Sequence, residues 1–186
     1  MRIISGFLKG KKINFLKNLV TRPIKDIVKE STFNILEHSN LINTKIKKSK
    51  VLDLYSGIGS FGLECISRGA QIVTFVESDI YASNVLKKNL TKLSIIEKAK
   101  IFQSKIENFL DKDLDEKYDI IFLDPPFSDR DFIKNLETIK NKILYEKDHI
   151  IIIHRERKNK DDFKKLVKII DKKIYGRSEI IFCNFT

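Results

Sequence analysis

From Val51 onward the chain alternates short apolar runs with segments of helical apolar spacing, and this alternation most constrains the fold. Runs 51–55, 72–76, 99–103, 118–123 and 149–154 read as strands. Segments 60–68, 80–93 and 130–144 read as helices, with a short helical turn running from Ser104-Lys105 to Leu110. Strands joined by helices pair in parallel and are covered on both faces. The helix over 80–93 should bury Ala82, Val85, Leu86, Leu90 and Leu93; that over 130–144 should bury Phe132, Ile133, Leu136 and Ile143. Segment 161–175 is ambiguous: Phe163, Leu166, Val167 and Ile170 have helical spacing, but its later part suits a strand. A turn at 175–178 and a last strand over 179–185 follow.

The first strand runs into a glycine turn, Gly57-Ile58-Gly59, and then a helix. Glycines let the backbone approach a ligand closely, and the helix start offers free N–H groups. Such a turn is also an ordinary strand-to-helix connection. Glu77, just after the second strand, changes the balance. Ligands of open α/β sheets lie outside the carboxyl ends of the strands, where a carboxylate can accept from both ribose hydroxyls. Glu77 could instead cap the next helix, although Ser78 and Asp79 are better placed to do so.

The most specific signal is Asp124-Pro125-Pro126-Phe127, at the end of the fourth strand. Two prolines pin the backbone and remove two donors. The loop can then present carbonyl oxygens and a carboxylate, all acceptors, to one ligand group. An exocyclic amino group on a base suits that arrangement. Holding both its N–H groups favours a pyramidal nitrogen with its lone pair free for an electrophile. Phe127 offers a face for stacking on the base.

Ahead of this unit, 2–7 and 11–15 read as two short strands around a turn at Lys9-Gly10, decorated by Arg2, Lys9, Lys11, Lys12 and Lys17. Phe7 and Phe15 serve either RNA contact or core. Thr21-Arg22-Pro23 opens a helix with Ile24, Ile27, Val28, Ser31, Ile35 and Leu36 on one face, and Arg22, Lys25 and Lys29 on the other. Residues 1–45 are thus expected to form a hairpin-and-helix extension, and 46–186 the main domain, in a chain of 186 residues. The net charge of +11 suits a polyanionic partner. No apolar run reaches membrane-spanning length, and no signal-peptide core opens the chain. Cys65 and Cys183 lie far apart without metal-ligand neighbours and read as buried thiols of a reducing compartment. A cytoplasmic, metal-free monomer with no membrane contact is expected. His149 and His154 flank the isoleucine strand and read as structural.

The pattern Asp53-x-x-x-Gly57-x-Gly59, Glu77 and Asp124-Pro-Pro-Phe127 resembles the class I methyltransferases that use S-adenosylmethionine to methylate amino groups. The flanks are more selective. Gly6-x-x-Lys9-Gly10, Thr21-Arg22-Pro23 with Asp26-x-Val28-Lys29-Glu30-x-x-Phe33, Gly62-Leu63-Glu64 with Ser67-Arg68-Gly69-Ala70, and Tyr175-Gly176 resemble the RsmD family. That family methylates N2 of guanine 966 in 16S rRNA of the small ribosomal subunit. The resemblance implies a Rossmann-like α/β fold: a mostly parallel seven-stranded sheet with an antiparallel C-terminal hairpin. It further implies that Gly57 and Gly59 pass the methionine portion of the cofactor, Asp53 lies beside its amino group and Glu77 holds its ribose. Ser104, or the backbone at Lys105, would meet the adenine. Asp124 and the Pro125 carbonyl would hold guanine N2, with Phe127 stacking. Arg2, Lys9, Lys11, Lys12, Arg22 and Lys29 would contact RNA, within the subunit or an assembly intermediate. Ile24 stands where the family usually has Thr, and Lys29 where Arg is usual, which keeps the charge but loses the bidentate fork. Alternatives are an amino methyltransferase acting on another RNA or DNA base, or a non-catalytic RNA-binding assembly factor.

Overall fold

The computed structural model describes residues 1–15, 26–159, 161–163 and 165–186. In chain order come α1 (Asp26–His38), β1 (Lys50–Leu54), α2 (Ser60–Ser67), β2 (Ile72–Glu77), α3 (Ile80–Lys92), β3 (Ala99–Gln103), α4 (Ile106–Leu110), β4 (Tyr118–Leu123), α5 (Phe132–Asn141), β5 (Tyr145–Glu156), β6 (Val167–Tyr175) and β7 (Ser178–Phe185). The strands form one seven-stranded sheet in the order β3-β2-β1-β4-β5-β7-β6. β1 pairs in parallel with β2 on one side and β4 on the other, and β3 and β5 extend the parallel part outward. β7 lies between β5 and β6, antiparallel to both. This is the expected mostly parallel sheet with an antiparallel C-terminal hairpin. Chain connections leave β1 and β4 in opposite directions across the sheet, so their following loops part and open a crevice at the carboxyl edge.

Alternate residues of the central strands feed two hydrophobic clusters. Val51, Val73, Phe75, Ile120, Phe122, Ile150 and Ile152 join the side chains of α1, α2 and α3 on one face. Leu52, Leu54, Val76, Ile121, Leu123, Ile151 and Ile153 join those of α4 and α5 on the other. Both faces are therefore dry, which explains why these strands read as unbroken apolar runs. Among the described residues no helix is long and apolar enough to cross a membrane.

The ambiguity of 161–175 resolves as its later part suggested: it is strand β6, its backbone paired along β7. Three local expectations need correction. The helix before the sheet is rotated: α1 buries Val28, Lys29, Thr32, Phe33 and Leu36, while Ile27 is 68% exposed. Phe33 stacks on Phe61 of α2 at 5.0 Å between ring centroids, and the buried Glu64 carboxylate draws Lys29 inward. On α5, Asn135 takes a buried place and donates to the Tyr55 hydroxyl at 2.9 Å, whereas Ile143 lies beyond the helix and is exposed. α3 buries Ser83 and Asn89 in addition to the apolar positions expected, and Val85 is only half-buried.

The N-terminal hairpin reduces to a single antiparallel bridge, Arg2 with Lys12. Ile3, Gly10 and Ile13 N–H bond across the turn to the Lys11, Ile3 and Met1 carbonyls, but others go to α2: Ile4 and Ser5 N–H donate to the Glu64 carboxylate, Phe7 N–H to the Ser67 carbonyl, and Leu8 N–H to Ser67 Oγ. Ile3, Leu8 and Ile13 enter the same hydrophobic cluster as α1 and α2. The expected helix start at Thr21-Arg22-Pro23, together with Lys17, Ile24 and Lys25, lies outside the described residues. Gly6 has φ +80°, and a β-carbon there would sit 1.8 Å from the Ser67 carbonyl oxygen. Gly6→Ala should therefore push the N-terminal turn off α2 and lower stability by roughly 1–3 kcal/mol in chemical denaturation.

Candidate active site

The crevice at the carboxyl edge of β1, β2 and β4 gathers most of the residues singled out above. Leu54 ends β1, and the chain turns through left-handed backbone at Tyr55, Gly57 and Gly59, with φ of 59°, 55° and 83°. The two glycines do different work. A β-carbon at Gly57 would meet nothing within 4 Å, so its backbone faces open space. One at Gly59 would lie 2.4 Å from Leu86 Cδ1, so Gly59 is needed for packing against α3. Glu77, at the end of β2, braces the turn: its carboxylate accepts from Gly57 N–H and Asp79 N–H, each at 2.7 Å. Asp79 caps α3 by accepting from Ala82 N–H at 2.7 Å, which leaves Glu77 to the turn.

Asp53 lies beneath the turn and is 1% exposed. One oxygen accepts from Gly62 N–H in the first turn of α2 at 2.9 Å; the other, Oδ1, is buried without a partner among the described residues, as are Ser56 Oγ and Ser60 Oγ. Burial pushes the Asp53 carboxyl well above the usual carboxylate range, and the negative charges of Asp124 and Glu77 add to it. Three acidic groups therefore converge on one crevice. Unsatisfied acceptors of this kind call for a ligand that carries donors and positive charge. S-adenosylmethionine, with its ammonium, sulfonium and ribose hydroxyls, fits that donor set. Ser104 lies at the adjoining strand end, its N–H donating to the Glu77 carbonyl at 3.0 Å, and Lys105 is exposed at the start of α4.

Asp124 follows β4, with its N–H reaching the Leu54 carbonyl at 3.4 Å, so it stands beside the glycine turn. Pro125 is buried, whereas Pro126 and Phe127 are exposed. Two residues at the end of β5, missed from the sequence as site residues, hold this loop. His154 Nδ1 is 2.7 Å from Asp124 Oδ1, and its ring meets Phe127 edge-on at 5.5 Å. Arg155, 1% exposed, donates to the carbonyls of Pro126 (3.0 Å), Phe127 (3.2 Å) and Asp129 (2.9 Å), and pairs with Asp161 at 2.7 Å. Its guanidinium also lies over the Phe132 ring at 4.4 Å. This clasp leaves the Pro125 carbonyl outside it. A histidine and an arginine directly after the run Ile150–Ile153 are the only sequence signal for this support. Arg155→Met should loosen the loop and cut turnover roughly tenfold, because small misplacements in a site are costly, while cofactor affinity holds. Steady-state kinetics with calorimetry checks this.

The expected RNA residues divide. Arg2, Lys9, Lys11 and Lys12 are exposed on the N-terminal turn, as are Phe7 and Phe15. Asn89 ties this segment to the crevice, accepting from Asn14 N–H at 2.7 Å and donating to the Ile58 carbonyl at 3.5 Å. Lys29 is different. Its side chain is buried, 3.8 Å from Glu64, and donates to the Arg2 carbonyl at 3.1 Å. It ties the N-terminal turn to α1 and α2 and offers no charge at the surface. Arg22 lies outside the described residues.

The strand order, the glycine turn after β1 and the acid after β2 define a class I methyltransferase fold. The solved structure of a putative methyltransferase, YhhF, from Escherichia coli superposes with a TM-score of 0.85 at 25% identity, covering 100% of this chain and 97% of that one. A family profile described as conserved hypothetical protein 95 matches residues 1–184, and the chain belongs to that family, the RsmD family. The ribosomal RNA small subunit methyltransferase D of Haemophilus influenzae is 40% identical over 129 residues, which is 68% of this chain and 64% of that protein. The putative rRNA methyltransferase YlbH of Bacillus subtilis is 34% identical over 132 residues, 70% of this chain and 68% of the relative. The matched stretch thus spans a little under two thirds of the Haemophilus protein.

Proposed function

We propose that this chain transfers the methyl group of S-adenosylmethionine to N2 of guanine 966 in 16S rRNA of the small ribosomal subunit. The observation that carries the reading is the acceptor loop Asp124-Pro125, fixed by Arg155 and set beside a glycine turn braced by Glu77. Family membership and the names of the relatives support the substrate class.

S-adenosylmethionine supplies an electrophilic methyl group on a sulfonium. The protein's part is alignment and exclusion of water. The free oxygen of Asp53 takes the ammonium of the cofactor, and the second lone pairs of Glu77 take the ribose hydroxyls. The open backbone at Gly57 lets the methionine portion pass, with Ser104 and Lys105 bounding the adenine. Asp124 and the Pro125 carbonyl each accept one N–H of the guanine amino group, and Phe127 stacks on the base. No strong base is needed before attack. The nitrogen becomes acidic as it is alkylated, and its proton leaves to Asp124 or to solvent. The target base must leave its stack to reach the crevice. In this reading the exposed Arg2, Lys9, Lys11 and Lys12 meet phosphates, so methylation of a long RNA should weaken with salt. The protein works as a cytoplasmic monomer on the subunit or an assembly intermediate.

Incubation with labelled S-adenosylmethionine and separate RNA and DNA substrates tests the reading. Label is expected in small-subunit rRNA, as N2-methylguanine. Label confined to DNA, or absence of cofactor binding in calorimetry, would overturn it.

A further inference from the structure

His154 closes the buried run Ile150–Ile153 and pairs in register with Ile180 of β7. Its Nδ1 lies 2.7 Å from Asp124 Oδ1, while its Nε2 is buried and has no partner among the described residues. Hydrogen-bond accounting separates the three forms the ring can take. An imidazolium would bury an unpaired Nε2–H. The Nε2–H tautomer would do the same, and would also need a protonated Asp124 to supply the bonding proton. Only the Nδ1–H tautomer bonds an ionised Asp124 while leaving nothing worse than an unused acceptor, and an unmade donor is the costly kind of orphan.

We propose that His154 is a positioning residue for methyl transfer: as the neutral Nδ1–H tautomer it donates to Asp124 Oδ1, fixing the carboxylate so that Oδ2 faces the substrate amino group. This rests on the methyl-transfer reading of Asp124. The donor is itself fixed, since the ring is wedged between the strand end and the edge-on Phe127 ring. In this tautomer Nδ1 carries hydrogen already, so the ring nitrogen beside Asp124 does not accept the substrate proton.

The test uses the full chain with His154→Leu, His154→Asn, Asp124→Asn and the His154→Leu/Asp124→Asn double variant. Thermal melts establish folding and calorimetry reports cofactor affinity. His154→Leu should lower kcat roughly 10- to 100-fold, the effect of removing a hydrogen bond to a charged group, with cofactor affinity unchanged. His154→Asn, which keeps a donor near the Nδ1 position, should recover most of the loss. In the Asp124→Asn background the leucine substitution should add nothing. Independently of activity, NMR of nitrogen-labelled histidine should show Nδ1 protonated in the parent and this preference lost in Asp124→Asn. Full kcat in His154→Leu, equal losses in the leucine and asparagine variants, additive losses in the double variant, or protonated Nε2 would each overturn the proposal. Failure of the underlying reading looks different: Asp124→Asn would then transfer methyl groups at the parental rate while the NMR signature stayed in place.

Discussion

Asp124→Ala is expected to bind S-adenosylmethionine within about threefold of the parent and to lose methyl transfer by at least about 100-fold, the scale of removing a positioned acceptor or proton-transfer group. The separation follows from geometry. In the proposed reading the cofactor contacts would come from Asp53, the glycine turn and Glu77, whose own bonds are to Gly62 N–H, Gly57 N–H and Asp79 N–H. Asp124 contributes to none of these bonds. It stands on the next strand, where its partner is His154. Removing it takes one negative charge from the neighbourhood of Asp53, which explains the small allowance in affinity. It also leaves the guanine amino group with one acceptor in place of two, so the lone pair is no longer aimed. Calorimetry and single-turnover kinetics on the same preparation separate the two effects. A parallel loss of binding would assign Asp124 to the cofactor.

Glu64→Leu should be the most destabilising substitution outside the crevice, by about 3–5 kcal/mol, the usual consequence of breaking a buried ion pair from one side. Glu64 is fully buried on α2 and accepts from Ile4 N–H at 2.8 Å, Ser5 N–H at 2.9 Å and Arg68 Nε at 2.9 Å, with Lys29 Nζ as an ion pair at 3.8 Å. Burial lowers the Lys29 pKa, with Glu64 foremost in opposing that shift, so losing Glu64 leaves an ammonium in a dry site with the Arg2 carbonyl and the weaker influence of Asp26. Two backbone N–H groups of the N-terminal turn are orphaned at the same time. Hydrogen exchange should therefore rise first at Ile4, Ser5 and Leu8. Adding Lys29→Met to Glu64→Leu should recover part of the loss, since removing both charges is far milder than removing one. A loss below about 1 kcal/mol in denaturant unfolding would contradict this account of how the turn is held.

Which features were legible depended on whether the signal was local. The parallel strands were, because burial on both faces writes itself as continuous apolar sequence, as in Ile150–Ile153. The glycine turn, Glu77 and the Asp124 loop were legible for a related reason: each sits directly after a strand whose position was already clear. Features that depend on a partner distant in sequence were not. The face of α1 was read from apolar spacing, but Glu64 reverses the place of Lys29 and leaves Ile27 outside. β6 has weak spacing because most of its side chains are exposed or half-buried, so pairing with β7 decides its conformation. The N-terminal hairpin was read from its turn, yet the Ile4 and Ser5 donors go to α2 and the ladder stops at one bridge. His154 reads as structural and Arg155 does not stand out, because the loop residues they hold, Asp124 and Pro126, are 30 and 29 residues away.

The central claim is that the crevice methylates N2 of one guanine in small-subunit rRNA. Mapping methylated nucleotides in rRNA from cells lacking the protein, and from the same cells given either the parent chain or Asp124→Ala, tests it most directly. N2-methylguanine at position 966 should be absent without the protein, restored by the parent and not restored by Asp124→Ala. Persistence of that mark in the deficient cells, or loss of a methyl group from a different base, would contradict it.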